Sequence, residues 1–234
     1  MAAAATNLVL VPGLLCTKAL WAPQLAALGD VARTSVADHT RHDSMDAIAA
    51  SILAAAPERF ALAGLSMGGY VALAMQRQAP ERVTRLALLD TGSRADAPER
   101  RKQRLDLIAL AEREGTTKAQ EQLLPVLIHK ARLADKALVD TVLQMGTDTG
   151  LDAFKRQQAA IMSRPDFRPL LPAIKCPTLV IVGREDVLTP PALSEEIVAG
   201  IPGAKLEIIP DCGHLSTLER PEAVNRLFRA WLTA

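Results

Sequence analysis

The sequence predicts an α/β fold: a mostly parallel sheet of about six strands, flanked by helices, with a helical segment inserted between two of the strands. Three observations carry this. Short β-rich runs alternate with helical patterns along most of the chain. The runs are almost continuously apolar instead of alternating, as strands are when both sheet faces are covered. Residues 92–173 break the rhythm, with amphipathic helical patterns and no convincing strand.

Taken in order, "NLVLV" (7–11) is a buried strand. "VARTSV" (31–36) is more polar, and its Arg33 and Thr34 suit the edge of a sheet. "FALAG" (60–64), "VTRLALLD" (83–90), "TLVIVG" (178–183) and "KLEII" (205–209) complete the set. Thr189 as N-cap with Pro190 and Pro191 opens the helix "ALSEEIVAG", which stops at Gly200. Pro221 opens "EAVNRLFRAWL", whose Leu227, Phe228 and Trp231 are expected to face the sheet. In the inserted segment, Asp96-Ala97-Pro98-Glu99 reads as a helix start, and the pattern runs to Gly115. The expected division is a core of residues 1–91 and 174–234, with 92–173 crossing the top of the sheet as a helical cap.

With 234 residues, 49% of them hydrophobic, the chain can bury the core of one sizeable domain. Its net charge of +1 gives no electrostatic case for nucleic acid or an anionic membrane as partner. "MAAAATNLVLVPG" lacks the basic residue and the apolar length of a signal peptide. No run approaches membrane-spanning length, so a cytoplasmic location is expected. Cys16, Cys176 and Cys212 stand apart, with neither CxxC nor metal-ligand spacing. Packing is the role expected of each, and no metal or cofactor is expected.

The chemistry concentrates in "FALAGLSMGGYVALAMQRQAP" (60–80). Gly64-Leu65-Ser66-Met67-Gly68 matches G-x-S-x-G between a strand and a helix. A turn this tight presents the serine hydroxyl above the sheet, and Gly64 and Gly68 remove Cβ atoms that would collide with neighbouring chain. A serine needs a base. Of His39, His42, His129 and His214, only His214 directly follows a core strand on the same rim, and Gly213 lets its loop bend inward. His39 and His42 fall in the polar loop "ADHTRHDS" and are expected to be solvated; His129 is expected to pack or lie on the surface. An acid must orient the imidazole. Asp186 and Asp90 both end core strands. Asp186 is favoured by the order Ser…Asp…His, and Asp90 is assigned to a turn or cap with Thr91 and Ser93. Glu185 adjoins Asp186, but neighbours on a turn cannot both face one histidine.

"GLSMGG", "GREDVLTP", "DCGHLSTLERPEAV" and "LVLVPGLLCTKALW" resemble the α/β-hydrolase superfamily over essentially the whole chain outside 92–173. Within it the chain is similar to small carboxylesterases, pimeloyl-carrier methyl esterases, enol-lactonases and cofactor-free haloperoxidases. The resemblance implies an oxyanion hole formed by the backbone N–H groups of Met67 and Leu14, the latter in Pro12-Gly13-Leu14 where the family usually has His-Gly-x. At its start the chain departs from the family: only about six residues precede the first strand, too few for the family's initial antiparallel hairpin, so a reduced sheet is expected.

The activity expected is hydrolysis of carboxylic esters of short to medium acyl chain through an acyl-serine intermediate, with a small-molecule ester as partner. Lactone opening, carbon–carbon bond hydrolysis and perhydrolysis would use the same residues. A non-hydrolytic ligand receptor is the alternative from another class. The pocket is expected to be aliphatic, because aromatics make up only 3% of the chain. Arg164 and Arg168 could meet a substrate carboxylate but are expected on the surface. The physiological substrate and the oligomeric state are not legible.

Overall fold

The structure is a computed structural model that describes residues 6–234. The chain first forms four strands, β1 (Thr6–Val11), β2 (Ala32–Val36), β3 (Phe60–Leu65) and β4 (Val83–Leu89), with α1 (Ala22–Ala27), α2 (Met45–Ala55) and α3 (Met67–Gln78) between them. Four helices follow: α4 (Pro98–Glu114), α5 (Thr116–Leu127), α6 (Lys136–Thr149) and α7 (Leu151–Met162). The chain then returns through β5 (Thr178–Gly183), α8 (Pro191–Gly200), β6 (Lys205–Ile209), α9 (Ser216–Glu219) and α10 (Pro221–Thr233).

The six strands run in the order β2-β1-β3-β4-β5-β6, and every pairing is parallel. β2 lies at an edge, where Arg33 and Ser35 are exposed; β3 and β5, which lie inside the sheet, are buried at every residue. Because alternate side chains point to opposite faces, Val9, Leu62, Leu86 and Val180 pack with Ile48, Val71 and Ile197 of α2, α3 and α8. Leu8, Leu10, Ala63, Leu89 and Ile181 pack on the other face with Val224, Phe228 and Trp231 of α10. Leu227, on the same helix, is only partly buried. Among the described residues, no helix is long and apolar enough to cross a membrane.

Strand order places β1 between β2 and β3, so the chain moves outward to β2 and then back across to β3. Loops leaving the carboxyl ends of β1 and β3 therefore diverge at a switch point, which opens a crevice in sheets of this kind. Gly115 and Gly150 join α4 to α5 and α6 to α7 as single residues with φ of 90° and 74°, a left-handed backbone that suits glycine. Leu107, Ala111, Ala119 and Phe154 of the inserted helices form a small core of their own with Leu15 from the loop after β1.

One helix begins differently from expectation. The N-cap position of α8 is Pro190, with no side-chain cap bond. Thr189 does not cap the helix, because its hydroxyl is taken by Asp186.

Candidate active site

The turn between β3 and α3 holds Ser66 at φ 56° and ψ −115°, a backbone region that costs on the order of 1–3 kcal/mol for a residue with a side chain. Its surroundings enforce this. A Cβ on Gly64 would sit 2.1 Å from the Gly68 carbonyl oxygen, and one on Gly68 would sit 2.1 Å from that of Val11. Thr91 donates its hydroxyl to the Ser66 carbonyl at 2.8 Å and tightens the turn from β4.

His214 lies in the loop between β6 and α9. Its Nε2 is 2.8 Å from Ser66 Oγ, and its Nδ1 is 2.8 Å from Asp186 Oδ2. An ionised carboxylate only accepts, so Nδ1 carries the proton and Nε2 is left with a lone pair facing the serine hydroxyl. Asp186 is itself fixed: Oδ1 accepts the N–H groups of Leu188 and Thr189, and Oδ2 accepts the Thr189 hydroxyl at 2.7 Å. Burial raises the Asp186 pKa, but His214 and these donors outweigh it and hold the carboxyl below its ordinary value. Burial lowers that of His214, yet the Asp186 charge and hydrogen bond leave it above 6.5.

The loops bearing these groups are interlocked. Glu185 does not compete for the imidazole; its carboxylate accepts the Cys212 N–H at 2.9 Å while its own N–H donates to the Cys212 carbonyl. Glu219 accepts the N–H groups of Gly213 and Leu215 with one oxygen, and that of His129 with the other at 2.7 Å. His214 N–H donates to the Leu127 carbonyl at the end of α5.

Ser66 and His214 open onto a cavity of about 230 Å³. Leu107, Leu123, Leu127 and Ile161 from the inserted helices line it together with Leu14 and Leu188. Neither the Leu14 nor the Met67 N–H donates to another protein group among the described residues.

The sequence matches the alpha/beta hydrolase family over residues 8–227. The chain belongs to that family. It is a hydrolase related to small esterases and lactonases. It is similar to a thermophilic esterase from Thermogutta terrifontis, at 31% identity and a TM-score of 0.89 over 97% of this chain and 89% of that one. It is also similar to the enol-lactonase from Burkholderia xenovorans LB400, at 27% identity and a TM-score of 0.90 over 99% and 93% of the two chains. A 2-hydroxy-6-oxononadienedioate/2-hydroxy-6-oxononatrienedioate hydrolase from Klebsiella pneumoniae is 32% identical over 71% of this chain, which spans 59% of that relative's length.

Several residues of the hydrolase stand elsewhere than expected. Asp90 makes no turn with Thr91 or Ser93. It is fully buried, accepts the Gly183 N–H with Oδ1, and accepts both the N–H and the hydroxyl of Ser216 with Oδ2. Burial, and the charge of Asp186, push its pKa up to about 8. His39 is not solvated: it is buried, with Nε2 2.9 Å from the Gly13 carbonyl oxygen and 3.0 Å from Gln157 Nε2. Gln157 in turn accepts the Leu15 N–H, so both side chains brace the Gly13–Leu15 loop. His42 and His129 are half-buried, and neither lines the cavity.

Arg164 is not on the surface either. It is buried, with Nη1 2.8 Å from Asp96 Oδ1 and its guanidinium 4.3 Å from the centre of the Tyr70 ring. Arg168 is exposed and paired with Asp166. Gly213 is needed for space, not for backbone freedom, since a Cβ there would lie 2.7 Å from the His129 nitrogen. The three cysteines are free, and burial raises the thiol pKa of Cys16 to about 12. The roles of Thr189, Glu219 and Gln157 carried no sequence signal, because each depends on a partner that only the fold brings near.

Proposed function

We propose that the protein hydrolyses carboxylic esters of short to medium acyl chain through an acyl-serine intermediate. The observation that carries this is the continuous hydrogen-bond chain from Asp186 Oδ2 through His214 to Ser66 Oγ, ending in an apolar cavity. Ser66 Oγ attacks the ester carbonyl carbon while His214 Nε2 takes its proton. The negative oxygen that forms is received by the free N–H groups of Leu14 and Met67, the latter at the positive end of α3. Collapse expels the alcohol, which takes the proton from His214. Water then attacks the acyl carbon, gives a proton to His214, and the acid leaves as Ser66 regains its hydrogen. Asp186 holds the imidazole in the required tautomer throughout.

In this reading residues 92–173 are a cap whose helices shape the acyl site. The support is that α4, α5 and α7 contribute the cavity's Leu107, Leu123, Leu127 and Ile161. The similarity to an enol-lactonase keeps cyclic esters within the same chemistry. The test is a fluorophosphonate probe together with p-nitrophenyl esters of graded acyl length. The probe should add once per chain, and Ser66→Ala should lose both labelling and turnover. Labelling that persists in this variant overturns the assignment.

A further inference from the structure

We propose that the substrate is an ester carrying a second, ionised carboxylate, received on the cavity wall that α4 and α7 contribute, by Gln158 and Arg104. This substrate class rests on the ester-hydrolase reading above.

The first observation is an unpartnered donor. Gln158 lines the cavity and is fully buried, and its Nε2 has no acceptor among the described residues. Its orientation is fixed by chemistry. Arg104 Nη1 donates to Gln158 Oε1 at 3.1 Å, and turning the amide over would set two donors against each other. The amide N–H groups therefore face an environment that supplies no oxygen. A buried donor left in this state costs about 1–3 kcal/mol, which an incoming acceptor recovers.

The second observation is charge. Asp96 is 4% exposed and pairs with both Arg104, 16% exposed, and Arg164, 6% exposed. Two guanidinium groups thus share one carboxylate, leaving an uncompensated positive charge in a largely dehydrated cluster. Of the five N–H donors of Arg104, three are committed, to the two Asp96 oxygens and to Gln158. The remaining donors and the excess charge belong to a residue that lines the cavity. Arg100, also on the lining and exposed, adds a further positive charge. A neutral acceptor such as water would satisfy the amide but not the charge; a carboxylate satisfies both. The remaining lining is largely aliphatic, so the substrate class is a monoester of an aliphatic dicarboxylic acid.

The experiment compares kcat/KM for monomethyl esters of succinate, glutarate and adipate with that for methyl esters of neutral acids of equal chain length. The wild type is expected to favour at least one charged member by roughly tenfold to hundredfold, the scale of one charge-assisted hydrogen bond. Gln158→Glu places a carboxylate beside Arg104 within nearly the same volume, and the charged-to-neutral ratio should fall below one. Arg104→Met should lower the ratio while leaving Asp96 its bond to Arg164. Preference for the neutral ester throughout the series, or a ratio unmoved by Gln158→Glu, overturns the proposal. If the wild type turns over no ester at all, the ester-hydrolase reading fails and the subsite is read separately by melting temperature. Glutarate, but not pentanoate, should then stabilise the wild type and not Gln158→Glu; equal shifts would overturn the subsite as well.

Discussion

Gly183 and Gly213 cross in such close contact that a Cβ on Gly183 would lie 2.0 Å from the Gly213 carbonyl oxygen. The crossing joins the end of β5 to the loop after β6, and so brings Asp186 onto His214. Gly183→Ala should push the two loops apart and lower turnover by about a hundredfold or more, since misplacements near 1 Å carry that cost. Gly29→Ala, where an added Cβ meets nothing within 4 Å, is the matched control. Steady-state kinetics on both variants decide it; full activity in Gly183→Ala would show that the crossing does not position the acid.

Asp90 and Asp186 both stand at strand ends, yet only Asp186 touches the imidazole. Asp186→Asn should cost several orders of magnitude in turnover with little change in melting temperature, as loss of the orienting acid does elsewhere (about 10⁴). Asp90→Asn should instead cost about 1–3 kcal/mol of stability, because its amide would set a donor against Ser216. Asp90 also titrates. Its folded pKa of about 8 lies above that of an unfolded aspartate, so its contribution is greatest below about pH 4 and is lost as pH rises through 8. Denaturation across that range should show this slope in the wild type and lack it in Asp90→Asn.

Under the proposed mechanism, acidification should inactivate the enzyme by protonating His214 Nε2, the atom assigned to accept the serine proton. Asp186 raises the His214 pKa, so kcat/KM should fall through a midpoint above the ordinary 6.5 of histidine. Asp186→Asn removes the charge that stabilises imidazolium, and the His214 titration followed by NMR should move down. An upward shift would contradict this electrostatic account.

Asp96→Asn leaves the buried guanidinium of Arg164 and the half-buried one of Arg104 without their counter-charge, and a loss of up to about 3–5 kcal/mol is expected. Arg104 and Arg164 overcome the effect of burial and hold the Asp96 pKa below its ordinary value. The stabilisation is therefore complete above about pH 4 and disappears as pH falls through the lowered pKa. Chemical denaturation at pH 7 and at acid pH checks both points: the deficit of the variant should shrink on acidification.

The alternation of apolar runs and helices made the sheet legible, because a doubly covered parallel strand must be apolar along its length. The strand-end positions of Ser66, Asp186 and His214 were legible for the same reason. Burial of polar side chains between distant segments was not. His39 lies in a stretch rich in Asp, Thr and Arg that reads as a solvated loop, and nothing local marks Gln157, 118 residues further on, which closes over it. Arg164 sits between Ser163 and Pro165, and nothing local marks the Asp96 carboxylate that draws it inward. Asp90 resembled a turn residue because its partners, Gly183 at the end of β5 and Ser216 at the start of α9, lie far along the chain.

The bonds from Glu219 and His214 to the stretch 127–129 bear on how such an enzyme can be remodelled. Helical segments above a parallel sheet look like interchangeable cassettes, to be grafted from one relative to another to alter selectivity. Here the graft point is also a splint for the loop that carries His214. A transplanted segment that fails to offer a carbonyl where Leu127 has one, and an amide where His129 has one, would loosen the imidazole along with the acyl site. Selectivity is therefore more safely redesigned from α4, whose replacement leaves both that splint and the Gln157 brace on the Gly13–Leu15 loop in place.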